Sequence, residues 1–359
     1  MRDPASITIH ELIEVGYNEQ ASDVFVKANS RPMMRQHSKI APLPGDFPVI
    51  DPQNAQRMIS NLMNERQRRK FEDHMEMDLA FNVGDQCRVR ANIHMQRGTW
   101  AICCRIIPTT ILSIEQLGLP PVLNEFAKIR QGLVLITGPT GCGKTTSLAA
   151  IIDAINQTRP AHIVTIEDPL EFVHSDKMGY VTQREIGIDT EDFDPALRAV
   201  VREAPDVILI GEMRDVRTFN VAMQAGETGH LVFTTVHTSS AYETMDRIVN
   251  MFPPHEKNHL CKRLANSLRA VMAQKLVPRA DGRGRVCACE ILVVNPTIAK
   301  LVEDGHFNDL YHHMNEGEFW GMQTMNQSLL RYVKAGIITE ETAMSYAGVA
   351  SELKQMLRH

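Results

Sequence analysis

Four short apolar runs follow one another through the middle of the chain, at residues 133–136, 162–166, 207–210 and 231–233. Runs of this length without polar alternation are typical of strands that are buried on both faces of a parallel sheet. The segments between them, such as 144–156 and 195–203, carry apolar residues at helical spacing. The pattern therefore predicts alternating strands and helices, the arrangement of an α/β domain.

The first hundred residues have a different pattern, in which short helical and strand-like segments alternate with turn signals at 44–45 and 84–85. They predict a small α+β domain. Prolines at 108, 120 and 121 interrupt both helix and sheet, so the segment that they bracket is the expected linker. The predicted organisation is an N-terminal domain at 1–107, a linker at 108–120, an α/β domain at 121–295 and a helical C-terminal region at 296–359.

The composition is that of a folded protein, since 43% of the 359 residues are apolar and 23% are charged. The net charge of -5 leaves no excess of Lys and Arg to attract phosphate backbones, so nucleic acid is not an expected partner. No run approaches the roughly 18 apolar residues that a membrane-spanning helix needs, and residues 1–16 do not resemble a signal peptide. A cytoplasmic location is expected, with any membrane association made through a partner.

The first apolar run leads directly into a segment that fits the phosphate-loop pattern GxxxxGK[ST]. Glycines let backbone N–H groups surround phosphate oxygens at a helix N-terminus, where the helix dipole also favours an anion. Lys144 is expected to neutralise the β and γ phosphates, and the Thr145 hydroxyl to hold Mg2+. The predicted cofactors are therefore ATP and Mg2+, bound by Gly138, Pro139, Thr140, Gly141, Cys142, Gly143, Lys144, Thr145 and Thr146.

Hydrolysis needs further groups beyond the carboxyl ends of the buried strands, where ligands of open α/β sheets bind. Glu167 ends the second apolar run and could act as the base. Glu212 follows the third run, where Gly211 replaces the aspartate usual in a Walker B strand, and could serve either the Mg2+ ion or the attacking water. His230 and His237 flank the fourth run, and His237 could donate to the γ phosphate. A helix N-cap contact or a surface charge is the alternative for Glu167, and a structural role is the alternative for His230 and His237.

Four motifs, in their order and spacing, resemble those of the ATPase superfamily of type II and type IV secretion, and most closely the type IV pilus retraction ATPases of the PilT and PilU type. Beside the phosphate loop they are an Asp box at 166–174, a Walker B motif at 206–215 and a His box at 227–238. The resemblance covers nearly the whole chain. It implies an N-terminal PAS-like domain joined to a RecA-like ATPase domain.

The resemblance also implies a function and an assembly. Members are ATP-hydrolysing motors that form hexameric rings, act on a platform protein of the inner membrane and power pilus retraction, which underlies twitching motility. In that family N-terminal arginines help to neutralise the nucleotide phosphates, because guanidinium groups suit the charge that builds on a leaving phosphoryl group. The matching positions are Arg88, Arg90, Arg97 and Arg105. Arginines that simply face solvent are the alternative.

Two features choose among the branches of the family. Extension and type II secretion ATPases usually carry paired CxxC zinc motifs and longer N-terminal regions, and the absence of both favours retraction. The arginine spacing around 96–98 is more similar to the PilU branch. Retraction ATPases carry an Ala-Ile-Arg-Asn-Leu motif where this chain has Thr-Ile-Ala-Lys-Leu at 297–301, so an accessory motor that depends on a paralogous principal motor is one alternative. An extension or secretion ATPase, a RecA-like nucleic-acid motor and a non-hydrolysing ATP-binding ring component are the others.

Overall fold

The computed structural model describes residues 3–36, 39–84, 86–108 and 110–358. It divides into two units, the first formed by 1–110 with 171–173 and the second by 111–170 with 174–359. Residue 85 of one predicted turn and residue 109 of the predicted linker lie outside the described residues. Each unit has its own sheet and its own hydrophobic core.

Within its described residues, the first unit contains the strands β1 (Asp23–Lys27), β2 (Met33–Gln36), β3 (Lys39–Pro42), β4 (Glu76–Val83), β5 (Cys87–Gln96) and β6 (Thr99–Pro108). They form one antiparallel sheet in the order β3-β2-β1-β6-β5-β4. The helices of this unit are α1 (Ile9–Asn18), α2 (Pro52–Ser60) and α3 (Glu65–His74), and a 3-10 turn spans Pro4–Ser6.

The sheet of the first unit buries one face and exposes the other. On β5 the buried side chains Val89, Ala91 and Ile93 alternate with Arg88 and Arg90, which lie on the opposite face. This alternation follows from the two-residue period of a strand that is covered on one side. Residues of α1, α2 and α3 supply the other half of the core beneath the apolar face.

The second unit contains, in the part of the chain that the structure describes, the strands β7 (Gly132–Thr137), β8 (His162–Glu167), β9 (Tyr180–Glu185), β10 (Val207–Ile210), β11 (Leu231–Val236), β12 (Leu268–Pro278) and β13 (Arg285–Val293). Their order is β13-β12-β7-β11-β10-β8-β9, and every neighbouring pair is parallel except β12 with β13. The carboxyl ends of the parallel strands therefore meet at one side of the sheet, here called the carboxyl edge, and their amino ends at the other, the amino edge.

The helices of the second unit are α4 (Val122–Phe126), α5 (Lys144–Thr158), α6 (Phe193–Val200), α7 (Val216–Glu227), α8 (Ala241–Asn250), α9 (Lys257–Ser267), α10 (Pro296–Asp304), α11 (Leu310–Asn315), α12 (Met325–Lys334), α13 (Glu340–Tyr346) and α14 (Ala350–Met356). Two 3-10 turns span Phe307–Asp309 and Glu318–Trp320. Along β7, Leu133 and Leu135 belong to one hydrophobic cluster, and Val134 and Ile136 to another. The sheet is therefore covered on both faces.

The C-terminal helices pack against the antiparallel end of this sheet. Leu329, Ile338 and Leu353, from the segment that holds α12, α13 and α14, form a third cluster of the unit with Val277 of β12 and Ala288 of β13. This cluster explains why the chain from 296 onward groups with the strands that precede it.

The predicted fold class is confirmed: an α+β unit is followed by an α/β unit that ends in helices. The four apolar runs are β7, β8, β10 and β11. β11 continues past the predicted end at 233, because the buried Thr234 and Thr235 extend it with polar side chains. The apolar pattern predicts neither β9, whose side chains are mostly half exposed at the sheet edge, nor β12, which carries Gln274 in its interior. α6 begins and ends before the predicted 195–203, since Asp192 caps its first turn.

Candidate active site

The phosphate loop joins β7 to α5. At the end of β7, Gly138 turns the chain with a φ of 145°. A Cβ on Gly138 would lie 2.5 Å from both the Cys142 sulfur and the Gln274 carbonyl oxygen, so glycine alone fits this position. Gly143, the N-cap that precedes α5, has a φ of 90°. The loop is therefore held closely against β12 in a backbone conformation that depends on its glycines.

Lys144 is the first residue of α5 and is 9% exposed. Its ammonium group donates to the carbonyl oxygens of Gly138 at 2.7 Å and Pro139 at 3.2 Å. No side chain among the described residues caps the N-terminus of α5, and the N–H groups of a first helical turn have no partner inside the helix. A buried ammonium group and an uncapped helix N-terminus form a site that suits phosphate.

The other predicted phosphate-loop residues lie around this site. Pro139, Thr140 and Gly141 are exposed at the top of the loop, whereas Thr145 and Thr146 are partly buried in the first turn of α5. Cys142 is buried, and burial raises the pKa of its thiol above the ordinary value. Its thiol therefore packs beneath the loop as a neutral group.

Glu212 and His237 meet at the carboxyl edge, because β10 and β11 are neighbours and each residue follows the end of its strand. His237 Nε2 donates to Glu212 Oε2 at 3.1 Å, and Arg214 forms an ion pair with the same carboxylate, whose side chain is 18% exposed. β11 also pairs with β7. Glu212 therefore follows a strand that lies two positions from the strand of the phosphate loop, about 10 Å by ordinary strand spacing.

The pKa of His237 is lowered from its ordinary value of 6.5, first by burial and then by the positive charges of Lys144, Arg247 and Arg214. The imidazole is consequently neutral at physiological pH. Its single proton is on Nε2, which donates the hydrogen bond to the Glu212 carboxylate.

Glu167 ends β8 and is 6% exposed. Its Oε1 accepts a hydrogen bond from Gln183 Nε2 of β9 at 3.4 Å. Although β8 is the next parallel strand along the chain after β7, it is the third strand from β7 in the sheet, at about 14 Å by strand spacing. β8 and β10 are neighbours, so the two carboxylates Glu167 and Glu212 follow adjacent strand ends.

His230 lies at the opposite side of the sheet from the phosphate loop, which differs from the grouping that the sequence suggests. It precedes β11, and His237 follows it, so the two histidines stand about 20 Å apart along the strand. His230 Nδ1 donates to the Ala225 carbonyl oxygen at 3.0 Å, at the end of α7. Within this unit His230 therefore closes a helix-to-strand turn and does not join Glu212 and Lys144.

The four predicted arginines all lie in the first unit. Arg88 and Arg90 of β5 and Arg105 of β6 share the exposed face of its sheet, and Arg90 stands directly opposite Arg105. Arg105 Nε is fixed by Asp23 Oδ1 at 3.1 Å. Arg97 lies in the turn between β5 and β6, with a φ of 48° and an exposed side chain.

The structure adds site residues that the sequence patterns do not single out. Arg214 contacts the Glu212 carboxylate, Gln183 contacts Glu167, and Gln274 contacts the phosphate loop. Arg214 could have been found, since it lies inside the Walker B segment at 206–215. Gln183 and Gln274 carry no such signal, because they lie in strands that become neighbours of the site only in the folded sheet.

A phosphate loop after a buried parallel strand, with carboxylates at neighbouring strand ends, defines a P-loop ATPase domain of the RecA-like class. Residues 2–345 match the family described as "Type II/IV secretion system protein". The chain belongs to this family.

Two relatives and one solved structure place the chain within the family. It is 41% identical to the "Type IV pilus retractation ATPase PilT" of Pseudomonas aeruginosa over 95% of this chain and 98% of that one. It is 36% identical to the "Type IV pilus ATPase PilU" of the same organism, over 97% of this chain and 91% of that one. A crystal structure of "the Pilus Retraction Motor PilT and Bound ADP" matches with a TM-score of 0.91 and 40% identity, covering 98% of this chain and 100% of the other.

These matches confirm the resemblance to the retraction ATPases and the pairing of an N-terminal domain with a RecA-like ATPase domain. Identity over the whole chain is higher to PilT than to PilU, which does not support the PilU similarity suggested by the arginine spacing. None of the helices within the described ranges is long and apolar enough to span a bilayer.

Proposed function

We propose that this protein is an ATP-hydrolysing motor of type IV pilus retraction. The observation that supports this most strongly is the Glu212–His237 pair beside a phosphate loop with a buried Lys144, in a chain that matches PilT over nearly its full length. A site that only held phosphate would need the loop alone. The carboxylate and the neutral imidazole add the groups that can orient water and report on the γ phosphate.

ATP binding follows from the groups of the loop. Lys144 exchanges its bonds with the Gly138 and Pro139 carbonyls for the β and γ phosphates, and the first-turn N–H groups of α5 meet the remaining phosphate oxygens. The Thr145 hydroxyl and the Glu212 carboxylate are the groups proposed to hold Mg2+, since oxygen ligands are those that this ion prefers. When bound, Mg2+ neutralises charge on the β and γ phosphates.

The two carboxylates have different neighbours in the sheet. Glu212 follows β10, which is one strand nearer to the phosphate loop than β8. Its hydrogen-bond donor, His237, follows β11, the strand between β10 and the strand of the loop. Glu167 reaches from the far side, where Gln183 holds it. In our proposal Glu212, which also contributes to the Mg2+ shell, and Glu167 are the two groups that can orient the attacking water, while His237 donates to the γ phosphate or responds to its loss.

The arginines of the first unit fit an action on a neighbouring copy of the chain. Arg90 and Arg105 are direct partners on the neighbouring strands β5 and β6, where like charges repel. Asp23 compensates Arg105 from the β1 side, and no ion pair among the described residues compensates Arg90. An anion placed between the two arginines would relieve this repulsion. We therefore propose a homohexameric ring in which Arg90 and Arg105, with Arg88 and Arg97 beside them, meet the phosphates bound to the next subunit.

The remaining parts of the proposal rest on the family. The ring would act in the cytoplasm on a platform protein of the inner membrane. The functional boundary between its two domains would fall at 108–120, with the ATPase domain at 121–295 and a helical region at 296–359. ATP-driven movement of the two domains would then be transmitted to the pilus base.

A second candidate, an accessory motor that needs a paralogous ATPase, is favoured by one feature. Ala299 and Lys300 of α10 occupy the positions of the arginine and asparagine in the retraction motif. The Lys300 ammonium is bound within its own helix, to Asp304 at 2.9 Å and Glu303 at 3.3 Å. The Lys300 ammonium therefore does not replace the guanidinium group that the motif has at position 299, where this chain has alanine.

Steady-state ATP turnover of the purified chain, with and without its closest paralogue, tests both candidates. A principal motor hydrolyses ATP alone, whereas an accessory motor adds turnover only in the mixture, above the rate of the paralogue alone. Lys144→Ala should abolish the contribution of this chain in either case. If this chain contributes no turnover under either condition, the result would indicate a ring component that binds ATP without hydrolysing it. In cells, deletion should give excess pili; loss of pili would instead indicate an extension ATPase.

The arginine proposal makes a prediction of its own. Arg90→Ala and Arg105→Ala should each lower turnover by roughly 10-fold or more in the assembled ring, because a phosphate-contacting arginine stabilises the leaving group. Nucleotide affinity of the isolated subunit should be unchanged. Lys27→Ala removes a cation from the same sheet face and is the matched control. Unchanged rates in both arginine variants, measured at concentrations where the ring forms, would rule out their action on a neighbour.

A further inference from the structure

We propose that Gln274 of β12 is a positioning residue for the phosphate loop: its side-chain amide holds the Cys142 carbonyl and thereby aims the neighbouring N–H at the phosphate. The inference rests on the proposed nucleotide site and adds a residue that no motif of the sequence contains. Gln274 is separated from the loop by 132 positions along the chain, and only the sheet brings them together.

The strand register fixes where Gln274 lies. β12 pairs in parallel with β7, and the last registered pair is Ala273 with Thr137. Gln274 is therefore beside Gly138, the first residue of the loop. A Cβ added to Gly138 would lie 2.5 Å from the backbone carbonyl oxygen of Gln274, so the strand and the start of the loop are in direct contact.

The side chain of Gln274 reaches the middle of the loop. Its Nε2 donates to the Cys142 carbonyl oxygen at 2.7 Å, and Gln274 is 1% exposed. A carbonyl oxygen can only accept, so the amide must present its NH2 group here and the orientation of the amide is determined. A Cβ added to Gly143 would lie 3.3 Å from the same Nε2, so a residue larger than glycine would be crowded at position 143.

The planarity of the peptide bond links this hydrogen bond to phosphate binding. In a trans peptide the carbonyl of one residue and the N–H of the next point in opposite directions. Because Gln274 holds the Cys142 carbonyl on the side of β12, the Gly143 N–H is turned to the other side. Gly143 is the N-cap of α5, where N–H groups are available to an anion.

A purely structural role does not account equally well for Gln274. Its Oε1 is buried and has no hydrogen-bond partner among the described residues, so the residue maintains a buried unsatisfied polar atom. Its neighbours Ala273 and Met272 on β12 are fully buried and apolar. An apolar side chain of the same length would fill this space without the unsatisfied oxygen, but it could not bind the Cys142 carbonyl.

The chain offers a matched control in Gln323. Its Nε2 donates to the Cys289 carbonyl oxygen, also at 2.7 Å, and Gln323 is 8% exposed. Donor, acceptor and distance of this bond are therefore those of the Gln274 bond, and one difference is that Gln323 Oε1 also accepts from Arg331. The acceptor lies on β13, and none of the hydrogen bonds of Gln323 among the described residues goes to the phosphate loop.

The experiment compares the full-length wild type with Gln274→Met and Gln323→Met by calorimetric titration with ADP and Mg2+, and records the Tm of each. We expect Gln274→Met to raise the Kd for ADP by about 10-fold, the effect of one lost hydrogen bond that orients a charged ligand site. Gln323→Met should lower the Tm at least as much as Gln274→Met does, because it also removes the bond from Arg331, and should leave the Kd within about twofold. A wild-type Kd in Gln274→Met, or an equal loss of affinity in both variants, would overturn the inference.

A second variant, Gln274→Glu, decides the question even if the methionine variant does not fold. Because position 274 is 1% exposed, burial should raise the pKa of the introduced carboxyl group well above its ordinary value. In its protonated form this group can donate to the Cys142 carbonyl, whereas a carboxylate repels it. The Kd of Gln274→Glu relative to wild type should therefore rise between pH 6 and pH 9, a dependence that a space-filling role would not produce; a flat ratio contradicts the inference. If the wild type itself binds no nucleotide, the proposed function fails, which this comparison distinguishes from a failure of the Gln274 role alone.

Discussion

The two edges of the second unit's sheet hold similar polar side chains in different surroundings. At the amino edge, the Asp206 carboxylate accepts from the His162 backbone N–H at 2.8 Å, and His230 donates to a backbone carbonyl. At the carboxyl edge, Glu212 and His237 bond to each other. Bonds to the backbone complete the local fold, whereas paired side chains can exchange a partner for a ligand. Residue type alone therefore does not separate a carboxylate or imidazole that bonds to the backbone from one that pairs with another side chain, and position in the sheet does.

Among substitutions at the two edges, we expect the largest difference in nucleotide affinity and turnover when a lysine is removed from each. In Lys144→Ala we expect nucleotide affinity to fall by about 100-fold or more and turnover to be lost, because a buried ammonium group that meets the phosphates is removed. Lys128→Ala, near the amino edge, removes an exposed ammonium group that pairs with Glu125 and should change neither quantity. Nucleotide titration and steady-state turnover measure both. Normal ATP binding by Lys144→Ala would show that the loop is not the nucleotide site.

The two carboxylates that flank β10 give the next comparison. Glu212→Gln should retain nucleotide binding and lower turnover by about 100-fold, because an amide neither holds Mg2+ well nor accepts a proton from water. Asp206→Asn, at the other end of the strand, weakens the bond to the His162 N–H and should lower the Tm while turnover stays near wild type. Similar turnover losses in the two variants would mean that the edges do not differ in the way proposed.

The two histidines that flank β11 should differ least, by about 10-fold in turnover for His237→Gln against less than twofold for His230→Gln. The pKa of His237 is lowered from 6.5, chiefly by burial, so its imidazole stays neutral where an ordinary histidine would be half protonated. Wild-type turnover should persist at pH 6.5 and decline only below it, as the imidazole becomes a cation that ion-pairs with Glu212. His237→Gln should lose this acid-side decline. A wild-type decline centred above pH 6.5 would contradict the lowered pKa.

Much of the fold and of the site could be predicted where the signal is local. The strand and the glycine spacing around Lys144 are contiguous in the sequence, so the loop and its helix are predictable from a single stretch. The carboxyl-edge rule also placed Glu212 and His237 correctly relative to their strands, because it depends only on strand direction. His230 shows the limit of this reasoning. A residue that flanks a strand lies at the carboxyl edge only if it follows the strand, and His230 precedes β11.

The remaining site residues depend on strand order, which the sequence pattern does not contain. Four buried apolar strands could be arranged in several orders, and the observed one puts β11 and β10 between β7 and β8. That order decides that Glu212 is nearer to the phosphate loop than Glu167. It also decides that β12, which is far away in the chain, supplies Gln274 beneath the loop.

The sequence by itself determined the phosphate loop, the four central strands and the family, because each of these is written in adjacent residues or in motifs at fixed spacing. The tertiary structure decided which side chains of distant segments face one another: Glu212 with His237, Arg90 with Arg105, and Gln274 with Cys142. The physical reason is that hydrogen bonds and charge interactions act over a few ångströms. Pairing in a sheet sets those distances, and separation along the chain does not.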